Sequence, residues 1–443
     1  MLRRHIAPWV KRNQNAIPLR QALDLAQAGY ELVRRARPND HRPAVAGGWP
    51  VRLVPFPPPQ PFTRHERREL RRAASSQSTS FFDGASVRRF EAELAARWGS
   101  RHALALSSGT ASLHTAMMAC GIGPGDEVIV PALTYVATAL AVMQAGAKPV
   151  FVDADPSNWN IDPHLLEAAI TPRTKAVIPV HIGGVACGMT AILAIAAKHD
   201  LWVVEDAAHA HGSTWNGQSL GTIGDIGCFS FGSPKSITTG EGGALLTDDP
   251  ELYRRARMAM NLGECTPEGQ PSLDLIFFEP ETRLDYVMVG WNYRMSTAQA
   301  AIGLGQLARF DAIRRARSTS GAYLREHLAR IPGLKPQEVT PGCDPCYYTF
   351  PFEVQGDASL SRGELLAGLA AERVDYRLWS NKALPSYAVF GGAGDFPVAD
   401  RLCRNGIGFR VDPRIGRPEL EAMVFATRRL LGAGRPGAAG ASR

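Results

Sequence analysis

The stretch Ala103-Leu-Ala-Leu106-Ser107-Ser108-Gly109-Thr110-Ala111, running on through Leu113, Ala116, Met117 and Cys120 to Gly121, reads as a strand, a small-residue turn and a helix. Ala103–Leu106 is an apolar run of the length of a buried strand. After Thr110 the apolar residues recur on one helical face, and Gly121 is a good C-terminal stop. The same unit repeats outward from this point. Apolar runs at Glu127–Val130, Pro149–Val152, Ala176–Val180, Leu201–Val204, Cys228–Phe231 and Ala244–Thr247 read as further strands. Helical patterns separate the first five strands, among them Thr134–Ala145, which ends at Gly146. Strands alternating with helices predict an α/β fold with a mostly parallel seven-stranded sheet covered on both faces. In such sheets ligands collect beyond the carboxyl ends of the strands, so the residues just after each strand are the candidates for chemistry.

Beyond about Ala308 the pattern changes to a long basic helix, weak strands around Tyr348–Val354 and a helix near Arg362–Glu372. This predicts a smaller C-terminal α+β domain over 308–431, beside a large domain over 49–307. Residues 1–48 form an N-terminal extension, in which Leu19, Leu23, Ala26, Tyr30 and Val33 share one helical face. Arg34, Arg35 and Arg37 crowd the end of that helix, where cations suit its dipole. Packing on its own domain is the plainer reading of this helix, and docking of a partner the sharper one. Pro55–Pro61 reads as a stiff linker, and the Gly-, Ala- and Pro-rich tail over 432–443 as disordered.

A chain of 443 residues exceeds a typical single core, in keeping with two domains. Its formal net charge of +7 is mild for this length and suits an anionic small molecule or simple solubility. No zinc finger, ribonucleoprotein motif or aromatic-interleaved basic stripe is present, so a nucleic-acid partner is not expected. The seven cysteines are scattered without framework spacing, which fits a reducing cytoplasm. Cys343 and Cys346 form a CxxC lacking the second pair that zinc would need, and read as incidental thiols. The basic N-terminus lacks the apolar core of a secretory signal, and no apolar run approaches the ~20 residues that span a membrane. A soluble cytoplasmic protein with no membrane partner is expected.

Four segments carry the chemistry. Ser107-Ser108-Gly109-Thr110-Ala111 opens a helix, where backbone N–H groups and a threonine hydroxyl make an anion cup suited to phosphate; any capped helix start looks similar. It lacks GxGxxG and the Walker lysine, so no dinucleotide or nucleoside-triphosphate site is indicated. Glu205-Asp206 ends an apolar strand, where a partly desolvated carboxylate needs a cationic partner such as a protonated pyridine nitrogen; a simple helix cap is the plainer account. His209 and His211 follow, with no third ligand and no helical spacing, so metal is not expected. Phe229-Ser230-Phe231-Gly232-Ser233-Pro234-Lys235 runs into Thr238-Thr239-Gly240-Glu241-Gly242-Gly243. A lysine hemmed in by small residues after an apolar strand is set to be desolvated, which lowers its pKa and frees an amine for Schiff-base formation and proton transfer. Gly290-Trp291-Asn292-Tyr293-Arg294-Met295-Ser296 opens another helix.

Together these segments resemble the DegT/DnrJ/EryC1/StrS family of pyridoxal-phosphate (PLP)-dependent sugar aminotransferases, over roughly Gly48–Leu431. The resemblance implies the aspartate-aminotransferase fold type I and PLP as cofactor. It makes Lys235 the Schiff-base lysine, Asp206 the partner of the pyridine nitrogen and Tyr135 the residue stacked on the ring. It further implies that Gly109, Thr110 and Ala111 with Ser230 cradle the phosphate, and that His209 contacts the phenolic oxygen where many members carry glutamine. In the family the asparagine matching Asn292 reaches the neighbouring subunit's phosphate, which implies a homodimer with shared active sites. The implied activity is transfer of an amino group from L-glutamine or L-glutamate to a keto cyclitol or a nucleotide-linked keto sugar.

Two readings compete with this one. The segment from Glu205 to Gly217 also resembles aminohydroxybenzoate synthase, a PLP-dependent dehydratase and aromatase; the sugar 3-dehydratases replace the lysine by histidine and so fit less well. A catalytically silent partner would ordinarily lack the lysine or the aspartate, and both are present. Three features bear on substrate. Glu264–Asp285 is a long insertion with acidic Glu279 and Glu281, expected as a loop near the neighbouring active site. Arg377–Tyr387 follows the family pattern only loosely. Ala46-Gly-Gly-Trp-Pro-Val-Arg52 is similar to the opening of members from antibiotic pathways, which favours secondary metabolism.

Overall fold

The computed structural model describes residues 42–57, 62–75, 84–272, 283–378, 382–392 and 394–432. The amphipathic N-terminal helix, the second half of the proline linker, Glu279 and Glu281, and the tail from 433 lie outside them.

The seven strands are β1 (His102–Leu106), β2 (Glu127–Pro131), β3 (Lys148–Val152), β4 (Thr174–Val177), β5 (Trp202–Asp206), β6 (Ile226–Ser230) and β7 (Gly243–Thr247). They lie side by side in the order β1-β7-β6-β5-β4-β2-β3. All neighbours are parallel except β7, which runs antiparallel to both β1 and β6. Helices α1 (Gly109–Ala119), α2 (Ala137–Gln144), α3 (Met189–His199) and α4 (Pro250–Met260) accompany this sheet. Its central strands are buried almost end to end, as expected for a sheet sheltered on both faces.

The register explains where the site lies. Leu106 of β1 and Ser230 of β6 both pair with Gly243, the first residue of β7. Because β7 is reversed, its glycine start meets the carboxyl ends of its neighbours at a single edge. Asp206, the last residue of β5, pairs with Cys228 at the same edge. α2 begins at Ala137, three residues later than its apolar pattern suggests, and this leaves Thr134 and Tyr135 in the turn beyond β2.

The smaller domain is built on β8 (Leu334–Pro336), β9 (Phe350–Val354), β10 (Arg377–Leu378) and β11 (Gly406–Phe409), all antiparallel in the order β8-β9-β11-β10. Its core joins Phe350, Phe352 and Phe409 to Leu365, Leu369 and Met423. Two domain boundaries shift from the sequence reading. Val51 and Phe56, expected in the large domain, belong to this smaller core. The strap over 42–57 is bound there because Glu372 accepts the backbone N–H groups of Ala44 and Val51 at 2.9 and 2.7 Å. The long helix α5 (Phe310–Leu328) does not begin the small domain cleanly. Phe310 and Ile313 pack in the large-domain core and Leu324 and Leu328 in the small one, so this helix joins the two.

Candidate active site

Lys235 follows β6 in a tight loop closed by Lys235 N–H donating to Gly232 O at 3.0 Å and Thr239 N–H donating to Phe231 O at 2.9 Å. Its amine faces the ring of Tyr348 from the small domain, 4.9 Å from the ring centroid. Burial pulls its pKa down from 10.5 to about 8, against the opposing pull of Asp206. An amine in this range is ready to be neutral near physiological pH, which nucleophilic and proton-transfer roles both require.

Glu205 and Asp206 are adjacent on one strand and so face opposite sides. Glu205 accepts from the backbone N–H groups of Gly221, Ile223 and Gly224 at 2.8, 2.6 and 2.7 Å and pairs with His181 Nε2 at 2.8 Å. Burial alone would raise its pKa, but His181 and those N–H groups outweigh it and hold the carboxyl below its ordinary value. Asp206 turns the other way. Its Oδ2 accepts from the Thr138 hydroxyl at 2.8 Å and its Oδ1 from Ala208 N–H at 3.1 Å, which leaves lone pairs for a further partner. Thr134 Oγ1 in turn lies 3.1 Å from Thr138 Oγ1. The sequence gives no signal for Thr138, because a threonine in a mostly apolar helix looks like filler.

The anion cup forms where the turn after β1 reaches the end of β6 across the start of β7. Ser108 caps α1, its Oγ accepting from Ala111 N–H at 3.0 Å, so that Ala111 N–H is engaged within the protein. Among the described residues the N–H groups of Gly109 and Thr110 have no protein acceptor. A Cβ on Gly109 would stand 2.6 Å from Ser230 Cβ, so glycine is needed to let this turn and Ser230 approach each other.

His209 is half-buried and stacks on Tyr348, with centroids 4.4 Å apart and planes 9° from parallel. Burial, reinforced by Lys235, holds its pKa far below the usual histidine range, so it is neutral. His211 points elsewhere, against Phe229 and Phe231, and is likewise neutral, its pKa pushed down to about 3. Tyr135 is 70% exposed beside the mouth of the site, close enough to influence the Tyr348 phenol. Asn292 is also exposed, at the end of a segment that bridges to Asn261. Tyr348, Arg317 and Arg377, which line the cleft around Lys235, were missed by motif reading because they come from a domain without a recognisable motif. Cys343 and Cys346 lie behind the site as thiols, with pKa values that burial raises to about 11.

This donor set fits a phosphorylated pyridine aldehyde: an amine for the aldehyde, a carboxylate for the ring nitrogen, and a glycine–serine cradle with free N–H groups for the phosphate. A lysine facing a carboxylate at the carboxyl edge of a mostly parallel sheet, closed over by a smaller domain, defines a fold-type-I aminotransferase. Residues 62–427 match the model of the DegT/DnrJ/EryC1/StrS aminotransferase family, and the chain belongs to that family. It is 37% identical over 352 residues to GDP-perosamine synthase of Caulobacter vibrioides, covering 79% of this chain and 91% of that one. It is 38% identical over 342 residues to a putative L-glutamine:3-amino-2,3-dideoxy-scyllo-inosose aminotransferase of Streptoalloteichus tenebrarius, covering 75% and 79%. The solved structure of 3-amino-5-hydroxybenzoic acid synthase superposes with a TM-score of 0.77 at 31% identity, over 86% of this chain and 99% of that one. Among the described residues no helix is long and apolar enough to cross a membrane.

Proposed function

We propose that this aminotransferase uses PLP on Lys235 to carry an amino group from L-glutamine or L-glutamate to the ketone of a cyclitol or nucleotide-linked sugar, in secondary metabolism. The observation that carries the proposal is the desolvated Lys235 amine at the edge shared with Asp206 and the Gly109–Ser230 cradle. PLP, when bound, supplies an electron sink that stabilises negative charge at the donor's Cα.

The chain's own groups do the rest. Asp206, oriented by Thr138 and Ala208, holds the ring nitrogen in its protonated form. Gly109 and Thr110 offer N–H groups to the phosphate, with the Ser230 hydroxyl beside them; Ala111 contributes through the cap that fixes the turn. Neutral His209 donates to the phenolic oxygen while stacked on Tyr348. Tyr135 covers one ring face. Lys235 Nζ accepts the proton from the donor's Cα and returns it one position along, as a desolvated amine can. Asn292, exposed in one protomer, reaches the phosphate of the partner in a homodimer.

The family's scyllo-inosose and GDP-sugar relatives support the acceptor class. The likeness to 3-amino-5-hydroxybenzoic acid synthase favours a second reading, dehydration with aromatisation, which would use the same amine and carboxylate. The experiment is to load the purified protein with PLP and add L-glutamine, or L-glutamate, without an acceptor. Replacement of the visible cofactor band by the near-ultraviolet band of its amine form supports transamination. A band that both donors leave unchanged, with water release and a new aromatic product from an aminocyclitol acid, supports the second reading. Absence of any visible band overturns the role of Lys235.

A further inference from the structure

Asn292 sits on a short extended segment that the fold holds from two directions. Trp291 N–H donates to Ala259 O at 2.8 Å and Tyr293 N–H to Met260 O at 3.0 Å, at the end of α4. From the other direction Ser107 N–H, at the start of the phosphate turn, donates to Tyr293 O at 2.7 Å. Side chains alternate along an extended segment, so Trp291 and Tyr293 share one side and Asn292 takes the other. The two rings are stacked, 5.7 Å apart and 9° from parallel. Both meet the same side chain edge-on: His114 of α1, at 5.4 Å from Trp291 and 5.8 Å from Tyr293. His114 is only 1% exposed, and its Nδ1 lies 3.0 Å from the Tyr293 hydroxyl. Burial holds its pKa below the ordinary histidine value, against a hydrogen bond to the Gln144 carbonyl at the end of α2. The ring is therefore neutral and carries one proton. A carbonyl can only accept, so that proton points to Gln144 and Nδ1 accepts from the Tyr293 hydroxyl. Packing alone would be met here by an apolar ring; an imidazole engaged on two sides also fixes the direction of its neighbours.

We propose that His114 is a positioning residue for the cofactor site of the neighbouring subunit: through Tyr293 it fixes the segment that presents Asn292. The path is short, because Asn292 is flanked on both sides by rings that rest on His114 while its own side chain is exposed. A side chain that reaches across an interface loses freedom on contact, and a backbone held in advance leaves less to lose. The same helix begins with Gly109 and Thr110, whose N–H groups face the phosphate of its own site, and His114 follows a little over one turn later. One rigid helix thereby serves its own site with its first turn and the partner's site with its second. The simpler alternative is that the pair steadies only its own phosphate turn, through the bond between Ser107 and Tyr293. The two differ in which subunit's site suffers when the pair is broken.

The inference rests on the shared-site homodimer proposed above, and mixed dimers separate the two. Two differently tagged full chains are co-expressed, one of them carrying Lys235→Ala, and the dimer bearing both tags is isolated. Borohydride then fixes PLP only on the remaining Lys235, and the mass of that chain gives the occupancy as free PLP is varied. The site so read takes its Asn292 from the lysine-less subunit. Tyr293→Phe or His114→Phe on the lysine-less subunit is expected to raise the half-saturating PLP concentration about 5- to 10-fold, the size of one lost buried hydrogen bond, with the dimer mass unchanged. The same change on the lysine-bearing subunit leaves PLP binding as in the parent. His114→Asn, whose amide oxygen can stand where Nδ1 stands, recovers most of the loss. Tyr293→Phe adds nothing once Asn292→Ala is on the same subunit. A loss confined to changes on the lysine-bearing subunit overturns the proposal and assigns the pair to its own phosphate turn. An equal loss from either subunit, or none from both, overturns it as well. If Asn292→Ala on the lysine-less subunit has no effect, the shared-site reading itself is overturned, and the positioning role falls with it.

Discussion

At the scale of single residues the site turns on one amine. Lys235 has a pKa near 8 in the folded chain against 10.5 for an exposed lysine, because burial disfavours its charged form. The neutral fraction is therefore larger in the folded chain at every pH below the exposed value. The rate at which the apo-protein captures PLP should climb with pH and level off about pH 8; a climb that continues toward pH 10 would contradict the burial argument. Gly109 allows an equally local test. An alanine there would drive its Cβ to 2.6 Å from Ser230 Cβ, and the cradle must open. Gly109→Ala should weaken PLP binding by at least about tenfold, the cost of one or two misdirected hydrogen bonds, while circular dichroism stays that of the parent. Lys235 and Asp206 stood out in the sequence because each lies at or just beyond the end of an apolar strand, where ligands collect, whereas Ser230 was named only through the family resemblance. Thr138, Tyr348 and Arg377 were not, since their roles come from what they touch across the fold and not from their neighbours in the chain.

At the scale of elements, the strand–helix alternation was readable throughout, but the direction of β7 was not. Ala244–Thr247 has the same apolar run as its parallel neighbours, and only its short connection after the lysine loop hints at a reversal. The ends of β5 and β6 hold the core in a way that pH exposes. His211, packed on Phe229 of β6 and on Phe231, has its pKa driven down to about 3 by burial first and then by Lys235. The unfolded chain takes up a proton on this side chain as pH falls through about 6.5, while the folded chain stays neutral until about pH 3. Stability is thus full above pH 6.5 and declines as pH drops toward 3. Over the step from pH 7 to pH 5 this one group should cost on the order of 2 kcal/mol, using ~1.4 kcal/mol for each pKa unit. Denaturant titrations of the apo-protein at the two pH values should show the loss, and His211→Phe should remove this side chain's share of it while that of His209 remains. An equally steep profile in that variant would assign the acid sensitivity to other groups. Glu205 offers a test without pH: Glu205→Gln removes the charge that gathers three N–H groups of the turn 221–224 and His181. It should lower stability by about 3 kcal/mol, read as a drop in Tm.

At the scale of the whole molecule, the proposed homodimer is open to a direct test. The strap over 42–57 escaped the sequence reading because Ala46-Gly-Gly-Trp-Pro has no periodicity; two buried carboxylates tie it to the small domain, Glu372 through the N–H groups of Ala44 and Val51 and Glu419 through Arg52. The insertion expected as a loop lies in part outside the described residues, and its two ends meet where Glu264–Cys265 pairs with Asp285–Tyr286. From that base Tyr286, Val287, Val289 and Trp291 run exposed toward Asn292, with Leu262 beside them through its N–H to Trp291 O. Val289 is 83% exposed. A run of large apolar side chains in water marks a surface that another protein covers, and Asn292 at its end gives that cover a catalytic purpose in the proposed homodimer. Val289→Asp should therefore shift the mass measured by light scattering from dimer to monomer and loosen PLP in the same step, because each site loses the partner's asparagine. Asn292→Ala should keep the dimer mass and loosen PLP alone. If Val289→Asp stays dimeric with PLP firmly held, this face is not the interface; if it becomes monomeric and still retains PLP like the parent, the sites are not shared. The two variants together separate the apolar contact that brings protomers together from the single side chain that makes their union matter to the cofactor.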